Sequence, residues 1–307
     1  MRTAVITGSS GFIGTALTKA LLQRGYIVYG IGTSKKRLDQ FQQEKHFYPI
    51  IASFDQYKEI DQIVPPGIDV FFHLANKGEL RGNDLLDVAL QIENISGACK
   101  ACEMAILLKS KRFVFVSSSY QYMRNIKSNQ FDNIYGRAKL AAEQLCGALL
   151  ANSNTKFYIA VLSNTFGVGD YSSKAVNTML KKLLNKEDLN LISGTRKNDW
   201  VYIDDTVEGL IALGEKANKQ GKYYIGHLNI PIFKNIIIEM RDIISPNSNL
   251  YFGKYEETSY VDYSELDARV LKKETGFECH CDFRKSILQT VDFIKHIATK
   301  EDKDEKS

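Results

Sequence analysis

The stretch Thr3–Gly14, TAVITGSSGFIG, decides how this chain folds. Its first five residues form a short apolar run rich in β-branched side chains, and Gly8, Gly11 and Gly14 then recur at three-residue intervals. From Phe12 the chain reads FIGTALTKALLQRG, with apolar residues at helical spacing. A strand, a glycine turn and a helix in that order present unpaired backbone N–H groups at a helix N-terminus, where an anion is favoured. Glycine permits both the tight turn and the close approach of a diphosphate, so Gly8, Ser10, Gly11, Phe12, Ile13 and Gly14 are the candidate cradle of a dinucleotide. No Gly-Lys-Ser/Thr follows, which argues against a P-loop.

Outward from this turn, apolar strands alternate with helical segments. Strands are predicted at Tyr26–Ile31, Phe47–Ala52, Ile68–Leu74, Arg112–Ser118 and Phe157–Leu162, and helices at Arg37–His46, Asn83–Lys109 and Tyr135–Asn152. The strands are continuously apolar rather than alternating, as in a parallel sheet covered on both faces. The predicted fold class is therefore α/β, a doubly wound parallel sheet, whose ligands bind beyond the carboxyl ends of the strands. Past Leu162 the order loosens into helices near Lys174–Asn185, Asp204, Ile236, Leu266 and Ile287 and short strands near Leu189, Trp200 and Tyr223. This divides the chain into residues 1–163 as the dinucleotide-binding domain, with return segments near 200–228, and residues 164–299 as a smaller α+β substrate lobe. The tail 300–307, KEDKDEKS, is dense in charge and expected to be disordered.

Composition narrows the function classes. The 307 residues carry 44% hydrophobic and 25% charged side chains and a net charge of +4, an ordinary globular profile. No apolar run is long enough to span a membrane, and the N-terminus has no secretory pattern, so a cytoplasmic protein is expected. No basic stripe with interleaved aromatics appears, which disfavours nucleic acid as a partner. The five cysteines are expected to be reduced. Cys99 with Cys102, and Cys279 with Cys281 around His280, match structural zinc spacings poorly, so no metal site is expected.

The end of the second strand selects the dinucleotide, since an acid there binds the ribose 2′-hydroxyl and repels a 2′-phosphate. Here the sequence is Gly30-Ile31-Gly32-Thr33-Ser34-Lys35-Lys36-Arg37, without an acid, and residues 1–50 hold seven basic against two acidic side chains. Thr33, Ser34, Lys35 and Arg37 therefore point to NADP, with NAD as the alternative. Further on, Tyr135 and Lys139 stand four apart on a predicted helix and share a face. An ammonium close to a phenol favours the phenolate, which predicts a lowered Tyr135 pKa and a proton-transfer group usable near neutrality. The preceding strand ends in Ser117-Ser118-Ser119, able to hold the same substrate oxygen.

TGSSGFIG, HLAN at residues 73–76, ENISGA at 93–98, FVFVSSS, YGRAKLAAEQL, NTFGVGD at 164–170 and DWVYIDD at 199–205 occur in one order along nearly the whole chain. Together they resemble the extended short-chain dehydrogenase/reductases, and more narrowly the NAD-dependent epimerase/dehydratase family acting on nucleotide sugars. The resemblance implies a Rossmann fold and a homodimer built through a four-helix contact. It also implies Leu74, Ala75 and Asn76 beside the cofactor, Tyr135 as acid/base, Lys139 on the nicotinamide ribose, and Ser118 on the reacting oxygen. Asn94 would stabilise the active-site helix, while Ser119, Asn164 and Arg196 would border the substrate. Departures from the family pattern are equally specific. Ser119 and Tyr120 stand where sugar 4,6-dehydratases carry acids, Asn198 and Val161 replace arginines, and Ala52 or Ser53 replaces an aspartate expected near adenine.

These readings give an NADP-dependent reductase of a 4-keto nucleoside-diphosphate sugar, with a 4-epimerase retaining NAD as the alternative. A non-catalytic dinucleotide-binding regulator is a more distant one, disfavoured because Tyr135 and Lys139 are both present.

Overall fold

In the computed structural model, residues 1–78, 82–131 and 133–304 are described. Thr3–Thr7 (β1) leads through the glycine turn into Phe12–Gln23 (α1), followed by Ile27–Gly32 (β2), Lys35–Leu38 (α2), Phe47–Ile51 (β3), Val70–His73 (β4) and Val88–Leu107 (α3). Arg112–Ser118 (β5), Met123–Asn125 (β6), Ile134–Leu150 (α4) and Lys156–Leu162 (β7) complete the first half. The second half comprises Asn164–Phe166 (β8), Ala175–Leu184 (α5), Leu189–Asn190 (β9), Trp200–Tyr202 (β10), Ile203–Lys216 (α6) and Gly221–Ile225 (β11). It ends with Phe233–Ile244 (α7), Leu250–Tyr251 (β12), Ser259–Val261 (β13), Ala268–Thr275 (α8) and Phe283–Asp304 (α9).

Seven parallel strands form the sheet in the order β11-β7-β5-β4-β1-β2-β3. The winding reverses between β1 and β4, which opens a crevice at their carboxyl ends. Alternation along β1 explains why it reads as continuously apolar. Ala4 and Ile6 pack with Leu17 and Leu21 of α1 on one face, and Val5 packs with Phe71, Ala101 and Ala105 on the other. β8 with β10, β9 with β12, and β6 with β13 pair outside the large sheet. The β6–β13 ribbon is antiparallel and joins the loop after β5 to the C-terminal half, a connection absent from the sequence reading.

Local chemistry moved several boundaries. Ser34 caps α2 by accepting from the Arg37 N–H, so this helix starts two residues before the predicted one. It then tightens into a 3-10 turn ending at Phe41, whose ring packs 4.8 Å from Phe47 where β3 begins. The predicted helix from Asn83 is a 3-10 turn over Gly82–Leu85, and α3 begins only after Asp87, whose carboxylate accepts from Leu90 N–H at 3.0 Å. α9 continues to Asp304, into the segment expected to be disordered, and residues 305–307 of that segment lie outside the described residues.

α4 is fixed at its start. Asn133 Oδ1 accepts from Gly136 N–H at 2.7 Å, and Gly136 sits so close to the turn after β5 that a Cβ would lie 2.2 Å from the Tyr120 carbonyl oxygen. Gly136→Ala must push α4 off that turn, and overpacking of this kind costs about 1–3 kcal/mol. The expected result is a lowered urea midpoint together with loss of turnover; an unchanged midpoint would contradict this contact.

Candidate active site

The dinucleotide cradle assembles at the switch point. Gly8 has φ +75°, and a Cβ there would lie 2.8 Å from Ala75 N; a Cβ on Gly14 would lie 2.0 Å from the Gly8 carbonyl oxygen. α1 therefore approaches the backbone as closely as a chain without side chains allows. Its N-cap is Gly11, with no side chain covering the first-turn N–H groups. Ser10 reaches toward β2, where its Oγ would meet a Cβ on Gly32 at 2.7 Å, and Ile13 packs into the core. Phe12 opens α1, its ring 5.5 Å from Lys174 Nζ. Leu74 and Ala75 are tied to β1 by bonds from their N–H groups to the Thr7 carbonyl and hydroxyl. Asn76 Nδ2 donates to the Lys77 carbonyl, while its buried Oδ1 has no partner. A glycine cradle and an orphaned buried acceptor along one crevice fit a dinucleotide.

At the end of β2, Thr33, Lys35, Lys36 and Arg37 are exposed. Lys35 pairs with Asp39 at 3.1 Å, whereas Lys36 and Arg37 form no ion pair with a described residue.

The structure also brings together Ser118, Tyr135 and Lys139. Ser118 ends β5, and its Oγ accepts from Tyr120 N–H at 3.2 Å. Tyr135 lies in the first turn of α4 and is buried at 6% exposure, packed edge-on against Tyr120. Lys139, one turn on, directs Nζ to the Val116 carbonyl at 3.2 Å and sits 5.7 Å from the Tyr135 ring centroid. The predicted lowering of the Tyr135 pKa is not found. Burial pushes the phenol well above its ordinary value, and the opposing pull of the Ser118 hydroxyl is smaller. The Lys139 amine is itself lowered to about 8, chiefly by burial, with the Glu143 charge acting the other way.

Asn94 bonds the loop that follows β4. Its Oδ1 accepts from Lys77 N–H at 2.7 Å and its Nδ2 donates to the Lys77 carbonyl at 3.2 Å, so it braces the loop after β4. A cavity of about 10 Å³, lined by Asn94, Asn76, His73 and Lys139, lies between these helices and has room for one water. His73 beside it is held neutral by burial, its pKa down to about 3. Among the substrate candidates, Asn164 bonds Asn198 Oδ1 at 2.8 Å, and the Arg196 guanidinium stacks 3.9 Å over the Tyr260 ring without a carboxylate partner among the described residues. Ser119 is buried at 1% in the turn, whereas Ser118 is half-buried.

Residues 4–226, which hold every strand of the large sheet and all of these cradle and proton-transfer groups, match the profile of the NAD dependent epimerase/dehydratase family. The chain belongs to this family. It is 25% identical over 271 residues to a CDP-abequose synthase of Yersinia pseudotuberculosis, an alignment covering 84% of this chain and 91% of that one. Among solved structures it is similar to a UDP-glucuronic acid 4-epimerase from Bacillus cereus in complex with UDP-glucuronic acid and NAD (TM-score 0.76, 23% identity, 96% and 99% of the two chains). It is equally similar in fold to a dTDP-glucose 4,6-dehydratase from Bacillus anthracis in complex with NAD (TM-score 0.78, 17% identity, 96% and 97%). Among the described residues, no helix is long and apolar enough to cross a membrane.

Two polar networks of this family member escaped the sequence reading. Buried Glu143, two turns along α4 from Tyr135, is bonded by Ser117, by Gln121 Nε2 at 3.0 Å and by Lys222 Nζ at 2.7 Å. Its spacing of four from Lys139 was the available signal. Asp199, fully buried, receives the Tyr224 hydroxyl, the His227 N–H at 3.0 Å and the His227 ring at 2.6 Å. Nothing in the sequence marked His227.

A lysine whose pKa falls from 10.5 to about 8 on folding costs stability while it is charged, by about 3 kcal/mol below pH 8. Between those values the unfolded chain binds more protons, so stability rises with pH. Lys139→Met removes this cost but also one hydrogen bond, worth about 1 kcal/mol. The variant is expected to be more stable than the parent at pH 7 by about 2 kcal/mol, with the gap closing as pH rises above 8 and reversing to about 1 kcal/mol in the parent's favour near pH 10.5. Urea unfolding at both pH values checks it; a variant that is less stable at pH 7 would refute it.

Proposed function

We propose that this family member reduces a 4-keto nucleoside-diphosphate sugar at C4, using NADPH. The observation that carries the reading is the β2 edge, where exposed cations stand in place of an acid, together with the Tyr135 phenol buried beside Ser118. The phenol carries its proton at neutral pH, the state from which a general acid acts, while burial makes it a weaker acid than a free tyrosine. Ser118 Oγ orients the carbonyl oxygen, and Tyr135 delivers its proton to that oxygen as it becomes an alkoxide. Lys139 supplies positive charge below pH 8. Gly8 to Gly14 hold the dinucleotide diphosphate, Lys36 and Arg37 hold the 2′-phosphate, and Arg196 holds the sugar nucleotide diphosphate. The bound dinucleotide supplies the hydride. Ser119 and Tyr120 stand where acids would eliminate water, which disfavours dehydration.

The likeness to a CDP-abequose synthase makes CDP-linked sugars the first substrates to offer. The likeness to UDP-glucuronic acid 4-epimerases supports a second reading, in which the same residues interconvert C4 epimers with retained NAD. Freshly generated 4-keto CDP-, UDP-, GDP- and dTDP-sugars, followed by absorbance of reduced cofactor, separate them. Stoichiometric NADPH consumption is expected, weakened by Lys36→Glu/Arg37→Glu for NADPH but not for NADH, and lost in Tyr135→Phe with cofactor affinity retained. Epimer interconversion without cofactor turnover would establish the second reading instead.

A homodimer is proposed on the same reading. Val88 and Ile92 on α3 and Leu145 and Leu149 on α4 are exposed on two helices packed together. Ile92→Asp/Leu145→Asp is expected to halve the mass measured by sedimentation equilibrium; an unchanged mass would place the contact elsewhere.

A further inference from the structure

We propose that Asp205, His227, Cys279 and Cys281 bind a structural zinc ion at the junction between the sheet edge and the C-terminal helices. The groups come from three separate places: Asp205 from the first turn of α6, His227 from the loop after β11, and both cysteines from the segment between α8 and α9. Ligand atoms of Asp205, His227 and Cys279 lie within 4.8 Å of one another, and so do those of Asp205, His280 and Cys281. Both thiols and both imidazoles thus converge on one carboxylate.

That carboxylate is fully buried. Its oxygens accept the His280 and Cys281 N–H groups at 3.1 and 3.0 Å, yet it pairs with no lysine or arginine among the described residues. A buried charge of this kind requires a counter-charge. Among the described residues its ion-pair partner is His280, at 3.2 Å, and that side chain is 70% exposed, a weak source of compensation. Thiolate, imidazole and carboxylate together are the donor set that zinc prefers.

The ring of His227 is held by a second carboxylate. Its Nδ1 is engaged by buried Asp199 at 2.6 Å, leaving Nε2 as the ring's available donor, in the carboxylate–histidine arrangement that supports metal sites. Zinc bonds of about 2.0–2.3 Å call for tetrahedral donor spacings of about 3.3–3.8 Å, so the Asp205, His227 and Cys279 group needs to contract by about 1 Å, and Cys281, which belongs with Asp205 to the second group, must swing toward it. We assign the fourth position to Cys281 rather than His280, because His280 is mostly exposed. Four protein ligands close the coordination sphere, which makes the ion structural. Asp199 carries its effect onward, since its carbonyl accepts from Ser163 Oγ and Asn164 N–H at the edge of the proposed substrate pocket. Spacing alone could not reveal this site, because two of its four ligands lie about 50 and 75 residues before the cysteine pair.

The test is zinc content of the full-length protein after zinc loading, gel filtration and inductively coupled plasma mass spectrometry. About one zinc per chain is expected for the parent and for His280→Ala, and less than about a tenth for Cys279→Ser and for His227→Gln. Cobalt substitution of the parent is expected to give thiolate-to-metal charge-transfer absorption, absent from Cys281→Ser. Chelation with EDTA is expected to lower the parent's melting temperature and leave that of Cys279→Ser unchanged, a readout independent of activity. A zinc-free parent after loading, a disulfide between Cys279 and Cys281 under reducing purification, or zinc retained by Cys279→Ser would each overturn the proposal. Zinc lost from His280→Ala and kept by Cys281→Ser would overturn the ligand set.

Discussion

The active site depends on one steric contact, the first turn of α4 lying against the carbonyl of Tyr120. Because Gly136 has no side chain, the helix comes close enough for Tyr135 to meet Ser118, although the two are separated by an interval of 17 residues and belong to different layers. Asn133 fixes where the helix begins, and this sets the rotation at which Tyr135, Lys139 and Glu143 face the strand ends. A helix started one residue later would turn all three by about 100°.

Charge and burial oppose each other here, and burial dominates. In isolation, the ammonium four residues from the phenol would favour phenolate. In the folded chain both groups are desolvated, so the phenol holds its proton more tightly and the amine less. Lys139 is turned to the Val116 carbonyl, and its charge is shared with buried Glu143 rather than spent on Tyr135. The raised pKa makes the phenol a weaker acid and its phenolate a stronger base, so reduction and a cycle begun by oxidation are separated by the cofactor rather than by this phenol.

Much of the fold was legible because its signals are local. The TAVIT strand, the three glycines and the run RFVFVSS each declare themselves within a dozen residues, and β5 begins and ends where its sequence predicts. Helix starts were misplaced where a cap decided them, at Ser34 and Asp87, since a capping oxygen outweighs the apolar periodicity that follows it. At the site, the glycine cradle, Tyr135, Lys139 and Ser118 could be read from spacing. The partners of Asp199 and Glu143 could not, because His227, Tyr224 and Lys222 lie 25 to 80 residues away and reach them only when β11 joins the sheet. The acidity of Tyr135 was misjudged for the same reason: spacing reports a neighbouring charge, while burial is a property of the assembled layers.

The β6–β13 ribbon gives the molecule a mechanical character of its own. Arg124 and Asp262 clasp across it at 3.0 Å, and the Asp262 N–H bonds back to the Tyr122 carbonyl. The strap that follows the reactive serine is thus stitched to the lobe that carries Arg196 and Tyr260. On the proposed function, grip on the nucleotide end of a sugar and alignment of its far carbon would in this way be geared together, so that neither shifts without pulling the other.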